Sequence, residues 1–315
     1  MIGRRTDLYG VIDIGSNTIR LMVYRVEDGA IHPVLNKKYA TGLVGYINSK
    51  GRMSKEGIRK AVEILSELRA VTQQIRLREI FPFATASLRN ITNTEEVLQA
   101  IQEASGFSVR VLSGQEEATF DYYGAIQSAP PDSGLLADVG GGSTELVQFR
   151  DREVICADSI AIGSLNLYNR FVAGILPTRA EVRKMESEVA ELLKKRAKSA
   201  SRPPVGPLCA VGGTARAALK LYNGLTGESG GNTRYDVGFY DDYLAQITAE
   251  SKKLTNRILK IAPERIHTLT PGIAVLRAVA RVFSVQSVVT SPYGVREGYL
   301  YYLLRERGVL YGTDQ

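Results

Sequence analysis

The chain reads as an α/β protein built from a duplicated unit, and two observations predict this. Strand-like and helix-like segments alternate along its whole length. A strand, an aspartate, a glycine-led turn and a second strand also recur in the same order at two distant places. With 315 residues the chain is long enough for one large domain or, better, two medium ones with separate cores. Its 44% apolar and 23% charged residues are those of an ordinary soluble globular protein.

The elements follow in order. Tyr9 to Asp13 and Leu21 to Val26 predict two strands around a turn. Ile58, Ala61, Val62, Leu65, Leu68 and Val71 have the spacing of an amphipathic helix running from Ser54 to Gln74. Ile80–Ala86 is a strand, and Asn93, with Glu96 three residues on, opens a helix to Ala104. Phe107–Leu112 is a strand, after which Ser113 caps another helix. Leu135–Asp138 and Thr144–Phe149 form a second strand pair. Thr178 and Glu181 make a capping box for a charged helix to Lys198. A proline-rich loop, Ser201–Pro207, leads to a strand at Leu208–Val211, then Gly212-Gly213 and a helix. The last third is mainly helical, with a strand at Ser287–Thr290 and a final helix from Arg296 to Arg307.

Several classes of function are disfavoured. The first apolar run, Tyr9–Ile14, is short and contains Asp13, so no leader is expected. The most apolar helix-like segment, Pro271–Val285, carries Arg277 and Arg281 and does not read as a membrane span. Cys156 and Cys209 give neither a disulfide framework nor metal-ligand spacing, and both are expected as buried small hydrophobes. Together these features suggest a cytoplasmic protein. A net charge of +7 and a pI near 9.3 favour polyanionic partners. No RNA-stacking signature or zinc finger points to nucleic acid. No Walker A pattern, no HExxH helix and no credible Ser–His–Asp or Cys–His set competes for chemistry.

The repeat aligns without gaps. Val11-Ile12-Asp13-Ile14-Gly15-Ser16-Asn17-Thr18 matches Leu136-Ala137-Asp138-Val139-Gly140-Gly141-Gly142-Ser143, and a strand follows each. The copies lie too far apart for a solenoid, so they imply two related lobes. A tight glycine-bearing turn presents successive backbone N–H groups to a concave space and binds phosphate. Glycine permits close approach of the anion and supplies positive φ where needed. Thr18 or Ser143 adds a hydroxyl donor. An aspartate ending the preceding strand repels bare phosphate unless a divalent cation or its water lies between. Each copy is thus half of a metal–phosphate clamp. One copy alone is readily explained as an ordinary hairpin, but two in register are not.

Attack on a terminal phosphoryl group also needs a water oriented by a carboxylate. Ser113 as N-cap puts Glu116 at the reach-back position of a capping box, a structural role. Glu117 points about 100° further around the helix and is free for chemistry. Asp138 and Glu145 are carboxylates of the second copy and Asp13 of the first, and all three are candidate metal ligands, with Asp13 the weaker. The phosphate contacts expected are the N–H groups around Gly140, Gly141, Gly142 and Ser143, with Ser16, Asn17 and Thr18 opposite.

The two turn segments, Asp13–Leu21 and Asp138–Glu145, resemble the phosphate motifs of the exopolyphosphatase and guanosine pentaphosphate phosphohydrolase (Ppx/GppA) family. Ala84–Arg89, Ser113–Ala118, Val211–Thr214 and Tyr293–Gly298 match in the same order, so the resemblance covers essentially the whole chain. It implies the two-lobed, actin-like (ribonuclease H-like) duplicated ATPase fold, with an active site in the cleft between lobes. The lobes expected are residues 1–122, completed by a C-terminal helix within 299–315, and residues 123–298. Long members add a C-terminal His-Asp-type domain, for which this chain is expected to be too short. The family's catalytic glutamate falls on Glu117. The resemblance also supports Asp138 and Glu145 in activity dependent on Mg²⁺ or Mn²⁺, and makes Arg89 and Arg265 phosphate ligands. Arg296 is as readily paired with Glu297 or a helix end as with substrate. Gly212 and Gly213 are in the position that touches nucleotide in ATPases of this fold, although close helix–strand packing explains them equally. After Gly163 the chain departs from the family, and nothing is carried over.

The function implied is hydrolysis of terminal phosphoanhydride bonds, releasing orthophosphate from polyphosphate, from guanosine pentaphosphate, or from both. A homodimer is expected, with neither nucleic acid nor membrane as partner. An ATP-dependent small-molecule kinase of the same fold is the competing enzyme, but no acceptor pocket with its own base is evident. A non-catalytic binder of polyphosphate or guanosine nucleotides would require a degenerate Glu117 or clamp.

Overall fold

The computed structural model describes residues 7–128, 131–199, 206–247 and 252–310. The chain divides into two compact units. One runs to Glu117 and resumes at Tyr299, and the other is Ala118–Gly298.

The first unit holds a five-stranded sheet. β1 (Asp7–Ile14) is central and buried from Tyr9 to Ile12, since it pairs antiparallel with β2 (Thr18–Glu27) and parallel with a later strand. β3 (Ala30–Ala40) follows a two-residue turn in which Asp28 and Gly29 both have positive φ, the mirror-type turn that suits strand twist. α1 (Lys55–Gln73), capped by the Ser54 hydroxyl, lays Ala61, Ile64, Leu65 and Leu68 into the core. Then come β4 (Glu79–Ala84), the single turn α2 (Ala86–Arg89), α3 (Thr94–Ser105), β5 (Arg110–Val111) and α4 (Gly114–Ala125). The sheet order is β3-β2-β1-β4-β5.

The second unit repeats this order. It comprises β6 (Gly134–Val139), β7 (Thr144–Arg150), β8 (Glu153–Ile160), α5 (Ser164–Phe171), α6 (Arg179–Ser199), β9 (Leu208–Val211), α7 (Gly212–Thr226), β10 (Arg234–Asp236), α8 (Gly238–Ala245), α9 (Lys252–Ile261), α10 (Leu269–Val282) and β11 (Ser287–Thr290), and the last helix, α11 (Val295–Glu306), begins in it and ends in the first unit. Read from one edge, the strands run β8-β7-β6-β9-β11, with β10 added outside. The antiparallel and parallel pairings match those of the first sheet strand for strand. Even an irregularity is copied. The β2–β3 ladder slips between Val23 and Tyr24, and the β7–β8 ladder slips between Gln148 and Phe149, the equivalent place. The mirror-type turn recurs at Asp151-Arg152. This is the duplicated, actin-like α/β fold.

α10, the most apolar segment, is buried continuously from Leu269 to Leu276. It packs against α5, α6, α7 and α8, so its hydrophobicity serves a core. Among the described residues no helix is long and apolar enough to cross a membrane. Glycines bring α4 and the start of α11 together. A β-carbon on Gly124 would strike Gly294, and one on Gly298 would strike the Phe120 carbonyl.

Several elements differ from expectation. Strands β3, β8 and β10 are additional, and the strand expected over Phe107–Leu112 shrinks to two residues. The strand expected over Ile80–Ala86 ends at Ala84, and the turn that carries Arg89 is a short helix. Asn93 makes no side-chain cap to α3. Its amide instead exchanges hydrogen bonds with the Met53 backbone and reaches Glu96. Cys156 is exposed, because its strand is a sheet edge, while Cys209 is buried as expected. Gly15 and Gly140 do not adopt positive φ, so in these turns glycine serves close approach alone. The proline-rich loop expected over Ser201–Pro207 lies mostly outside the described residues.

Candidate active site

Each turn is built the same way. In the first unit the Gly15 N–H donates to the Thr18 carbonyl at 2.9 Å, and in the second Gly140 donates to Ser143 at 3.0 Å. The turn carbonyls are then tied back by the segment following the third strand. Thr41 and Gly42 N–H groups hold the Asn17 carbonyl, and Val44 holds that of Ser16. In the second unit the first residues of α5 do this. Ser164 N–H and Oγ bind the Gly140 carbonyl, and Leu165 and Asn166 N–H groups bind that of Gly141. A peptide is planar with C=O and N–H opposed, so a carbonyl held on one side turns the next N–H to the other. The N–H groups of Gly141 and Gly142 are therefore aimed away from α5, as an anion nest requires. Gly163 must be glycine here, since a β-carbon would lie 2.5 Å from the Gly141-Gly142 peptide.

The strands place carboxylates beside these turns. Asp138 on β6 is directly opposite Glu145 on β7, so their side chains share a face. Glu145 is buried and accepts from Ser159 Oγ at 2.8 Å, its own neighbour across β8. In the first unit the position equivalent to Glu145 holds Arg20, opposite Asp13. The copies thus differ in charge, with an acid–acid pair in one and an acid–base pair in the other.

Asp138 is part-buried. Burial pushes its carboxyl above the ordinary aspartate value, outweighing the nearby Arg216, Arg296 and Arg265 guanidiniums. Burial, followed by repulsion from a neighbouring arginine, pulls Arg216 and Arg265 below the usual arginine value. Gly212, at φ +78, leaves room for the Asp138 carboxylate where its β-carbon would be, and Gly213 does the same for the Arg265 guanidinium. The groups that lie against this glycine pair are therefore an acid and an arginine of the same unit. Thr214 fastens the start of α7 by donating to the Val139 carbonyl at 2.9 Å.

Glu117 belongs to the first turn of α4. The capping box forms as the spacing predicts, with Ser113 N–H donating to Glu116 at 2.8 Å and Glu116 N–H to Ser113 Oγ at 3.2 Å. That engages Glu116, which also pairs with Arg110. Glu117 is buried and accepts from Arg89 Nη1 at 2.7 Å, and the same nitrogen donates to the Leu112 carbonyl at 3.0 Å. The short helix carrying Arg89 begins beside the end of β1, where Ser87 Oγ donates to the Ile14 carbonyl. Arg89 is thus in contact with the carboxylate expected to orient water.

Within the first unit, then, Asp13 and Ser16–Thr18 share a hairpin, and Arg89 meets Glu117. Within the second, Asp138, Glu145, Gly140–Ser143, Gly212, Gly213 and Arg265 gather. The structure adds Asp121, Ser159, Ser164, Asn166 and Arg216, which sequence reasoning misses. Of these only Asp121 carries a sign in the sequence, a charge amid Phe120, Tyr122 and Tyr123 on a helix.

Fold and site together define a duplicated actin-like protein with a phosphate-type turn in each unit. A profile of the Ppx/GppA phosphatase family matches residues 22–307, and the chain belongs to that family. A guanosine-5'-triphosphate,3'-diphosphate pyrophosphatase of Aeromonas hydrophila is 27% identical over 299 residues, covering 94% of this chain and 59% of that protein. The chain therefore spans about three fifths of the length of the curated relatives it matches. An exopolyphosphatase structure from Cytophaga hutchinsonii superposes with a TM-score of 0.82 at 23% identity, covering 95% of this chain and 98% of the other. The Aquifex aeolicus PPX-GPPA enzyme superposes with a TM-score of 0.75 at 25% identity, covering 94% and 99%.

Proposed function

We propose that the chain hydrolyses terminal phosphoanhydride bonds, releasing orthophosphate from inorganic polyphosphate, guanosine pentaphosphate, or both, with Mg²⁺ or Mn²⁺. The observation that carries this reading is the second turn, whose carbonyls are tied back while an acid–acid pair stands beside it. The names of the relatives point to the same substrates.

Asp138 and Glu145 would hold the cation. Two carboxylates on one face suit a hard divalent ion. Among the described residues no larger acidic or histidine group gathers, so phosphate and water would complete the shell. When bound, the cation neutralises charge on the phosphoryl oxygens. The N–H groups of Gly141, Gly142 and Ser143 and the Ser143 hydroxyl bind those oxygens, with Ser16, Asn17, Thr18 and Arg265 as further phosphate ligands and Asp13 as a secondary acid. Glu117 accepts the proton of the attacking water, and Arg89 orients that carboxylate until phosphate competes for its guanidinium. Gly212 and Gly213 are retained as a nucleotide contact only for a guanosine substrate. We place the protein in the cytoplasm, where unpaired thiols such as these persist. We read it as a homodimer acting on a soluble polyanion, with neither nucleic acid nor membrane as partner.

The test is phosphate release from long-chain polyphosphate, guanosine pentaphosphate and ATP, for the native chain and Glu117→Gln. Loss of general-base assistance should lower turnover by about 10²- to 10⁴-fold with little change in substrate binding. Unchanged turnover in the variant would remove Glu117 from the reaction.

A further inference from the structure

The two turns are braced by different groups at their last peptide. In the first unit the last turn carbonyl, that of Asn17, is held by backbone N–H groups of Thr41 and Gly42 at 2.9 and 3.1 Å. In the second unit the equivalent carbonyl, that of Gly142, is held by a side chain, Asn166 Nδ2, at 3.1 Å. The same amide accepts the Gly163 N–H on Oδ1 at 2.8 Å, closing the start of α5. Its Nδ2 also lies 3.4 Å from the Ala161 carbonyl. Oxygen faces a donor and nitrogen faces carbonyls, so the network allows only one orientation of the amide. Asn166 is part-buried and its own N–H holds the Gly141 carbonyl at 3.1 Å.

Holding the Gly142 carbonyl determines where the Ser143 N–H points, because the two belong to one planar peptide. The Gly142-Ser143 peptide is the last of the nest and the one next to β7. With a glycine on one side, that peptide is freer to rotate than one between two substituted residues. Its brace is the side chain of a residue on the following helix, α5.

We infer that Asn166 is a positioning residue for phosphate binding, which fixes the third N–H of the second turn through the Gly142 carbonyl. The inference rests on the phosphate reading of that turn. Asn166 touches no substrate. Its side-chain amide supplies from α5 what backbone N–H groups supply in the first unit. An anion bound to the nest thus depends on the chemistry of one amide, and a residue unable to donate should weaken oxyanion binding while leaving the carboxylate pair of Asp138 and Glu145 untouched.

Two substitutions separate this role from simple helix capping. Asn166→Asp keeps an acceptor for the Gly163 N–H and is favourable in a first helical turn, but removes the donor to Gly142. Asn166→Ala removes both. Binding of tripolyphosphate with Mg²⁺ is measured by titration calorimetry in a Glu117→Gln background, so that no turnover intervenes, and binding of Mn²⁺ alone is measured beside it. Loss of one hydrogen bond predicts affinity for tripolyphosphate lower by about 3- to 10-fold in Asn166→Ala. The added charge makes it lower by about 10-fold or more in Asn166→Asp. Mn²⁺ affinity should stay within about 2-fold, given the modest worth of one remote hydrogen bond. Tripolyphosphate affinity unchanged in Asn166→Asp, with the Glu117→Gln parent binding normally, overturns the inference alone. A parent that binds no tripolyphosphate overturns the phosphate reading and this inference with it. Should Asn166→Asp fail to fold, Asn166→Ala supports or overturns the inference by the same two outcomes.

Discussion

Cys209 sits on the central strand β9, where burial, with a smaller contribution from Asp121, pushes its thiol up to about 12. Cys156 sits on the edge strand β8 and is exposed. The thiolate is the reactive form, so at pH 8 Cys209 is protonated as well as inaccessible. Titration with a disulfide reagent should therefore consume one thiol per native chain and two after unfolding in denaturant. Two thiols reacting at the same rate in the native chain would contradict the burial of Cys209. The pair also shows what a single residue's type conceals. Cysteine is usually buried, and nothing in the residues around Cys156 marks its strand as an edge. The capping role of Glu116 is legible for the opposite reason, because it is decided locally by Ser113, three residues before it. Arg216 and Asn166 are not legible, since their partners come from Asp138 and from Gly142, far away in the chain.

The capping box that opens α4 is an element whose strength depends on pH. Burial pushes the Glu116 carboxyl up, but the Ser113 N–H and hydroxyl and Arg110 outweigh it, leaving the carboxyl below its ordinary value of 4.5. A carboxyl depressed in the folded state contributes stability that is fully present above its unfolded value and is lost as pH falls through its folded value. Glu116→Ala should thus cost about 1 kcal/mol near pH 7, and the gap to the native chain should close in acid, as pH falls through the depressed folded value of Glu116. Denaturant unfolding at the two pH values measures this. A gap that persists undiminished in acid would mean that the charge of Glu116 contributes nothing. Capping boxes are readable from the sequence here and at Thr178, because their partners are three residues apart. Edge strands are not. β3 is exposed along most of its length and contains Pro33, tolerated only because it lies beside the slip in the ladder at an edge. β10 is three residues long and takes its identity from β11.

The duplication governs the whole chain, and its value lies in where the copies differ. The strand order, the ladder slip, the mirror-type turn and the tied-back phosphate turn are common to both units. Because the repeat is visible as residues in register, the doubled sheet is readable from the sequence alone. The partner of each aspartate cannot be weighed from spacing, since it takes an antiparallel register to put Arg20 beside Asp13 and Glu145 beside Asp138. A hard cation prefers the paired carboxylates to an aspartate that stands opposite an arginine. On the proposed function, the cation would thus be held by the second unit's acid pair, with Asp13 only a secondary acid. Asp138→Asn should weaken Mn²⁺ binding by about 100-fold or more, while Asp13→Asn weakens it less than about 5-fold, the two being compared by electron paramagnetic resonance titration. Tripolyphosphate binding at saturating Mn²⁺ should respond to both. Equal loss of Mn²⁺ affinity in the two variants would show that the acid–base pair of the first unit ligates the ion as well as the acid–acid pair of the second, and the asymmetry would then have no functional meaning.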